Sequence, residues 1–322
     1  MSENNYAFAV AQIRSYENSL LGKTQYDQII AAPDLQDVFD LLSARGWQIP
    51  ENAAVSAVLD ERRAAVWELI SGLAKGAPEL RVFTVNNDYH NLKTAIKAFF
   101  GETEAAAGFI QPASVDTAVI ETAVKEKKYD TLPGRMAAAA AEAYEALVTT
   151  EDGQTADIII DRYTLSELSD LAAATNSETV KRYCRLAVEA ADIKTAYRGA
   201  ITKKSDDFYE KALCGTAFLD KKALARAARK GAEEVLSFLS SAGFQAAAAA
   251  IKTSVSAFEK WYDEQVLSVM QDTVYINFGI EPLIAYGFKT ENEIKNLRIA
   301  LTCKSTGAET AEIKERMRVA YV

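Results

Sequence analysis

Apolar positions along this chain recur mostly in steps of three and four, the period of an amphipathic helix. Ala9, Ile13, Tyr16 and Leu20 form one such stripe and predict a helix over 9–21. Pro33-Asp34 opens the next, with Val38, Leu41 and Leu42 on its apolar face and Gly46 as its stop. Val66, Leu69, Ile70 and Leu73 place a helix over 59–73, and another is predicted over 87–100. An alanine-rich helix follows over 135–147, ending at the turn Glu151-Asp152-Gly153. Thr164-Leu165-Ser166-Glu167 and Thr175-Asn176-Ser177-Glu178 both have the spacing of a capping box, and a helix over 179–201 follows the second. Asp220 is expected to cap a helix running through Leu239, closed by Gly243. One or two helices are predicted over 246–272, a long one entered through Pro282, and a last one after Thr306-Gly307-Ala308-Glu309. Six prolines and little β-branched alternation complete an all-α prediction.

Three short segments read alike: Asn91-Leu92-Lys93-Thr94, Asp192-Ile193-Lys194-Thr195 and Glu293-Ile294-Lys295-Asn296. The step from Asn91 to Asp192 is 101 residues, and from Asp192 to Glu293 it is again 101. Leu59-Asp60 and Ile160-Asp161 keep the same step, and Trp261-Tyr262-Asp263 lies close to the third register. Gly46-Trp47 and Gly243-Phe244 end equivalent helices, with no such pair in the middle copy. Length alone suggests two domains of about 150 residues. The repeat predicts three: 1–107, 108–207 and 208–322. On each motif helix the first polar residue and the one three positions on lie side by side, while the lysine points elsewhere. A basic residue recurs one turn beyond the lysine, as Lys97, Arg198 and, shifted by one, Arg298. Two readings stand: these side chains tie each helix to its neighbours, or three basic positions line a common funnel.

The formal charge of −9 argues against nucleic acid and anionic lipid as main partners, since both need a cationic surface. Three scattered cysteines form no CxxC pair and are read as free thiols of a reducing compartment. The first residues carry no signal-peptide pattern, and no apolar run approaches the roughly 18 residues of a membrane span, so a soluble, cytosolic chain is expected. His90 is the one histidine and is expected to be structural. No Gly-rich phosphate loop is present. Asp206-Asp207-Phe208-Tyr209-Glu210 matches the DDxxE pattern by which all-α isoprenoid synthases hold magnesium, which keeps a metal-dependent enzyme as the alternative. No second carboxylate cluster accompanies it, and after Thr202-Lys203-Lys204-Ser205 the acids also suit the start of a helix. A general helical-repeat scaffold is a third class, but its units repeat at about 34 to 47 residues.

Tyr6-Ala7-Phe8-Ala9-Val10-Ala11-Gln12-Ile13-Arg14, the segment Asp88 to Lys93, Glu281 to Tyr286 and Glu291 to Arg298 together resemble the C subunit of the V/A-type rotary ATPases, called the d subunit in the eukaryotic vacuolar enzyme. The resemblance covers nearly the whole chain. One departure is Gly287-Phe288, where the family usually has aliphatic residues; glycine inside a helix costs about 1 kcal/mol relative to alanine. The resemblance implies three similar helical domains around a pseudo-threefold axis, forming a funnel. It implies no catalytic residue and no cofactor or metal. The expected partners are the central shaft subunits and the membrane proteolipid ring, with this piece on the cytosolic face passing torque to a ring that moves H+ or Na+. Asn91, Lys93, Asp192, Lys194, Glu293, Lys295 and Arg298 are the repeat positions carried forward as interaction candidates.

Overall fold

The computed structural model describes residues 6–50, 54–74, 76–101, 105, 108–150 and 152–318. Among them are sixteen α-helices and no strand. The chain divides into two compact units, Met1–Ala77 with Glu259–Val322, and Pro78–Phe258. The cuts fall inside the first and third of the expected copies. No helix among the described residues is long and apolar enough to cross a membrane.

The first unit is built from α1 (Ala7–Glu17), α2 (Lys23–Ala31), α3 (Leu35–Ser43), α4 (Val55–Ala74), most of α14 (Val255–Gln271), α15 (Glu281–Ser305) and α16 (Thr310–Arg316). Asp34 caps α3 through the Asp37 amide, as its place before the apolar stripe predicts. Gly46 closes the helix at φ +81°, and the Trp47 amide reaches back to the Leu42 carbonyl at 3.1 Å. Helix α15 packs on α4, α1, α2 and α16. Ile29, Val38, Leu42, Trp47, Leu59 and Leu297 form the core between these helices. The helix runs unbroken through Gly287, since burial along its length outweighs one glycine. Helix α2 has no counterpart in the sequence pattern, because Lys23 and Gln25 interrupt its apolar stripe. Leu20 is buried but lies beyond α1, and Tyr16 is half exposed.

The second unit contains α5 (Arg81–Gly101), α6 (Thr117–Glu126), α7 (Arg135–Thr150), α8 (Gly153–Ala174), α9 (Glu178–Ile201), α10 (Asp206–Ala212), α11 (Lys221–Lys230), α12 (Ala232–Ser241), α13 (Gln245–Thr253) and the first residues of α14. Helix α8 is its hub, packed on α7, α9 and α5. The alanine run of α7 buries Ala139, Ala140 and Ala143 completely, and such small residues let backbones approach closely.

Four sequence expectations are corrected here. Thr164 caps nothing: it lies inside α8 and its hydroxyl bonds back to the Ile160 carbonyl at 2.9 Å, because α8 already starts from the Asp152 cap. Ser177, not Thr175, caps α9 through the Val180 amide, while the Thr175 hydroxyl accepts from the Ser177 amide and donates to Glu79. The helix from Asp220 does not reach Leu239; Gly231 at φ +135° breaks it into α11 and α12. The motif helix of the first copy also starts six residues earlier than predicted, at Arg81. Glu151 of the predicted turn lies outside the described residues.

Candidate functional site

The repeated motif sits on α5, α9 and α15, at the same depth in each. Asn91 and Asp192 are fully buried and Glu293 is 2% exposed. A buried polar side chain must find partners within the protein, and all three find backbone. The Asn91 amide donates to the Ile110 carbonyl at 3.0 Å and accepts from the Ile110 amide at 2.8 Å. The Asp192 carboxylate accepts from the amides of Cys214 and Gly215, the latter at 2.6 Å. Glu293 accepts from the Leu21 amide at 2.7 Å. One turn on, Asn296 grips Arg318 as Asn91 grips Ile110, accepting at 2.7 Å and donating at 3.2 Å. Each motif helix thus holds a returning stretch of chain by its peptide groups. The predicted intrahelical neighbours Thr94, Thr195 and Asn296 are not what these first residues hold.

A second recurrence escaped the sequence reading. Asp88 and Glu189 stand three residues before Asn91 and Asp192, also 101 apart. Asp88 accepts from the Ser114 amide and hydroxyl, both at 2.7 Å, and from the Val115 amide at 3.1 Å. Glu189 accepts from the Thr216 hydroxyl at 2.8 Å. The signal was available as the same step, one turn upstream. Arg81 adds ion pairs to Asp88 and to Glu167 of α8, and the Tyr89 hydroxyl donates to Glu167 at 2.8 Å.

The motif lysines lie nearer the surface. Lys93 meets Asp161 of α8 at 2.5 Å, and Lys295 meets Asp263 of α14 at 2.6 Å. Both aspartates belong to the series that begins at Leu59-Asp60 in the sequence, and Arg318 also contacts Asp263 at 2.9 Å. The two pairs are not equivalent, since Lys93 takes the aspartate of the following copy and Lys295 that of its own. Lys194 borders a cavity of about 260 Å³ that also contains Asp161 and Thr195. Lys97 pairs with Asp157 at 2.8 Å, whereas Arg298 is exposed. His90 faces the Gly108 carbonyl at 3.2 Å.

Burial sets the electrostatics. The Glu293 carboxyl is pushed up to about 7 by desolvation, against the pull of Arg62 and the Leu21 amide. Arg62 Nη2 stands 3.6 Å from it and its guanidinium lies 5.0 Å from the Trp47 ring centre. Desolvation also raises Asp192 to about 6, with the Gly215 and Cys214 amides opposing. Burial raises the Cys184 thiol to about 12, far from a reactive thiolate.

The DDxxE segment forms the start of α10, capped by Ser205 through the Phe208 amide. Asp206 pairs with Arg229 at 2.7 Å, Asp207 with Lys211 at 2.8 Å, and Glu210 lies 3.9 Å from Arg229. Among the described residues no group of three or more His, Cys, Asp or Glu side chains is placed to hold a metal ion. The three carboxylates are arranged as ion-pair partners of a helix start.

The sequence matches the family described as ATP synthase (C/AC39) subunit over residues 9–316. The chain belongs to that family. The C subunit of the V-type sodium ATPase of Enterococcus hirae is 23% identical over 320 residues, covering 96% of this chain and 97% of the relative. The C subunit of the A-type ATP synthase of Methanocaldococcus jannaschii is 23% identical over 339 residues, covering 96% of this chain and 85% of the relative. This member of the C/AC39 family places its buried polar grips along α5, α9 and α15.

Proposed function

We propose that this chain is a non-catalytic central-stalk rotor subunit of a V/A-type ATPase. Its body has three similar helical domains, 1–107, 108–207 and 208–322, in a pseudo-threefold funnel. It sits on the cytosolic face of the membrane proteolipid ring, receives the central shaft, and passes rotation on to the ion-carrying ring. Membership of the C/AC39 family across nearly the whole chain carries the reading. The buried grips of Asn91, Asp192, Glu293 and Asn296 support it, because a torque-bearing body needs chain segments that do not slip past one another. Lys93, Lys194, Lys295 and Arg298 lie nearer the surface than the buried grips and are the motif positions proposed to meet partners. One relative is named as a subunit of a sodium ATPase and the other of an ATP synthase; the ion here is H+ or Na+, and the complex is ATP-driven or ATP-synthesising.

An affinity-tagged copy purified from native membranes tests this. Shaft and ring subunits of the rotary ATPase are expected with it. Recovery of the chain without them contradicts the reading.

A further inference from the structure

Glu293 is only half satisfied. Its Oε1 accepts from the Leu21 amide, but Oε2 has no hydrogen-bond partner among the described residues. Arg62 of α4 stands beside it, with Nη2 3.6 Å from Oε2, within reach of an ion pair and too far for a hydrogen bond. The Nε and Nη2 atoms of Arg62 are buried and also lack a partner. The guanidinium instead lies 5.0 Å from the ring centre of Trp47, whose own Nε1 is buried and unpartnered. The hydroxyls of Tyr286 and Thr290 on α15 are left in the same way, and Tyr286 lies in the field of both Arg62 and Glu293. All of these residues belong to the first unit. Six such atoms near one α4–α15 contact call for a physical reason, because buried polar groups are nearly always bonded.

The proton on Glu293 supplies one. A neutral carboxylic acid offers a guanidinium little, and the indole face then holds the cation. An ionised carboxylate offers a charge-assisted hydrogen bond, reached from 3.6 Å by a shift of under about 1 Å. Desolvation favours the neutral acid well above the usual carboxylate range. Tyr26 of α2 also faces Glu293, but burial pushes its phenol further up and it stays neutral. Other charged groups along α15 have their own partners: Glu17 has Arg14 and Lys289, Arg63 has Asp60 and Glu291, Asp263 has Lys295 and Arg318, Asp27 has Lys314, and Glu312 has Arg316.

We propose that Arg62 is the moving part of a proton-controlled latch between α4 and α15, resting on Trp47 while Glu293 holds its proton and bonding to Oε2 once that proton leaves for solvent. Closing the latch offsets part of the cost of ionising a buried acid. The device lies within this chain and stands independently of the function proposed above.

The test follows the indole N–H resonances of the full chain by NMR from about pH 5 to 8.5. The chain has three tryptophans, and Trp47→Phe identifies the signal of Trp47. That signal should shift with one midpoint, above an ordinary glutamate's 4.5 and no higher than about 7, and should stay still in Glu293→Gln. In Arg62→Gln it should also stay still. The Glu293 carboxyl carbon should there still titrate, with its midpoint raised by about one pH unit, a tenfold gain in proton affinity. A Trp47 signal that does not move in the wild type overturns the proposal, and so does one that moves equally in Glu293→Gln or Arg62→Gln. A Glu293 midpoint unchanged by Arg62→Gln overturns it too, since the guanidinium then makes no new bond to the ionised acid. Should Glu293→Gln lose helicity, Arg62→Gln, at a partly exposed residue, decides between the same two outcomes.

Discussion

A carboxyl group shut away from water keeps its proton longer, and Asp192 and Glu293 are two such groups at matching places on their helices. Glu293 moves from an ordinary 4.5 to about 7, and Asp192 from 3.8 to about 6. Both folded values lie above the unfolded ones, so between those limits the folded chain binds more protons. Stability therefore falls as pH rises through that window and levels off above about 7. Urea unfolding at pH 5 and 7.5 should show a smaller loss for Glu293→Gln than for wild type, by about 1–3 kcal/mol. The slope is the readout, because glutamine also leaves Arg62 without its anion. A second comparison separates buried grip from surface lysine. Asp192→Ala strands two amides and should cost about 2–4 kcal/mol, whereas Lys194→Ala should cost less than about 1 kcal/mol, both by chemical denaturation. The sequence made the register of these residues legible, since a 101-residue step needs no coordinates. It could not show that Asn91 holds Ile110 or that Glu293 holds Leu21, because those partners are chosen by how the chain returns in space.

Helix ends repeat one device. After α3 and α12 the left-handed position is Gly46 or Gly243, and the next amide reaches five residues back, Trp47 to Leu42 and Phe244 to Leu239. The middle copy lacks the Gly-aromatic pair in sequence yet makes the same turn after α6. Lys127 takes φ +57° and the Lys128 amide bonds to the Ala123 carbonyl at 3.0 Å. Lys203 does likewise after α9, at φ +53°. A side chain there is strained, so Lys203→Gly should stabilise by about 0.5–1 kcal/mol, seen as a higher thermal midpoint. Lys127→Gly should gain less, because Lys127 also stacks on Tyr144 at 4.9 Å. Gly243→Ala should cost about 1 kcal/mol. Caps built on aspartate or glycine were legible, as Asp34, Asp220 and Gly46 show. Caps built on lysine were not, and Thr164 misled because a hydroxyl inside a helix satisfies itself on the preceding turn.

For the whole molecule, helical periodicity carried the fold class, and the tyrosine-alanine start with the Glu281–Arg298 region carried the family, which the match over residues 9–316 shows. The compact units were not legible. They arise because α4 packs on α15 while α5 packs on α8, so the stretch expected as the first copy contributes helices to both. No periodicity along the chain records such a choice. The proposed role is to couple shaft rotation to ion movement without performing a reaction. The most direct test follows ATP hydrolysis and ion uptake together in vesicles carrying the rotary ATPase, with the chain depleted and then restored. Hydrolysis that persists while uptake is lost, and uptake that returns on adding the chain back, is the predicted result. Uptake that continues unchanged in its absence contradicts the account.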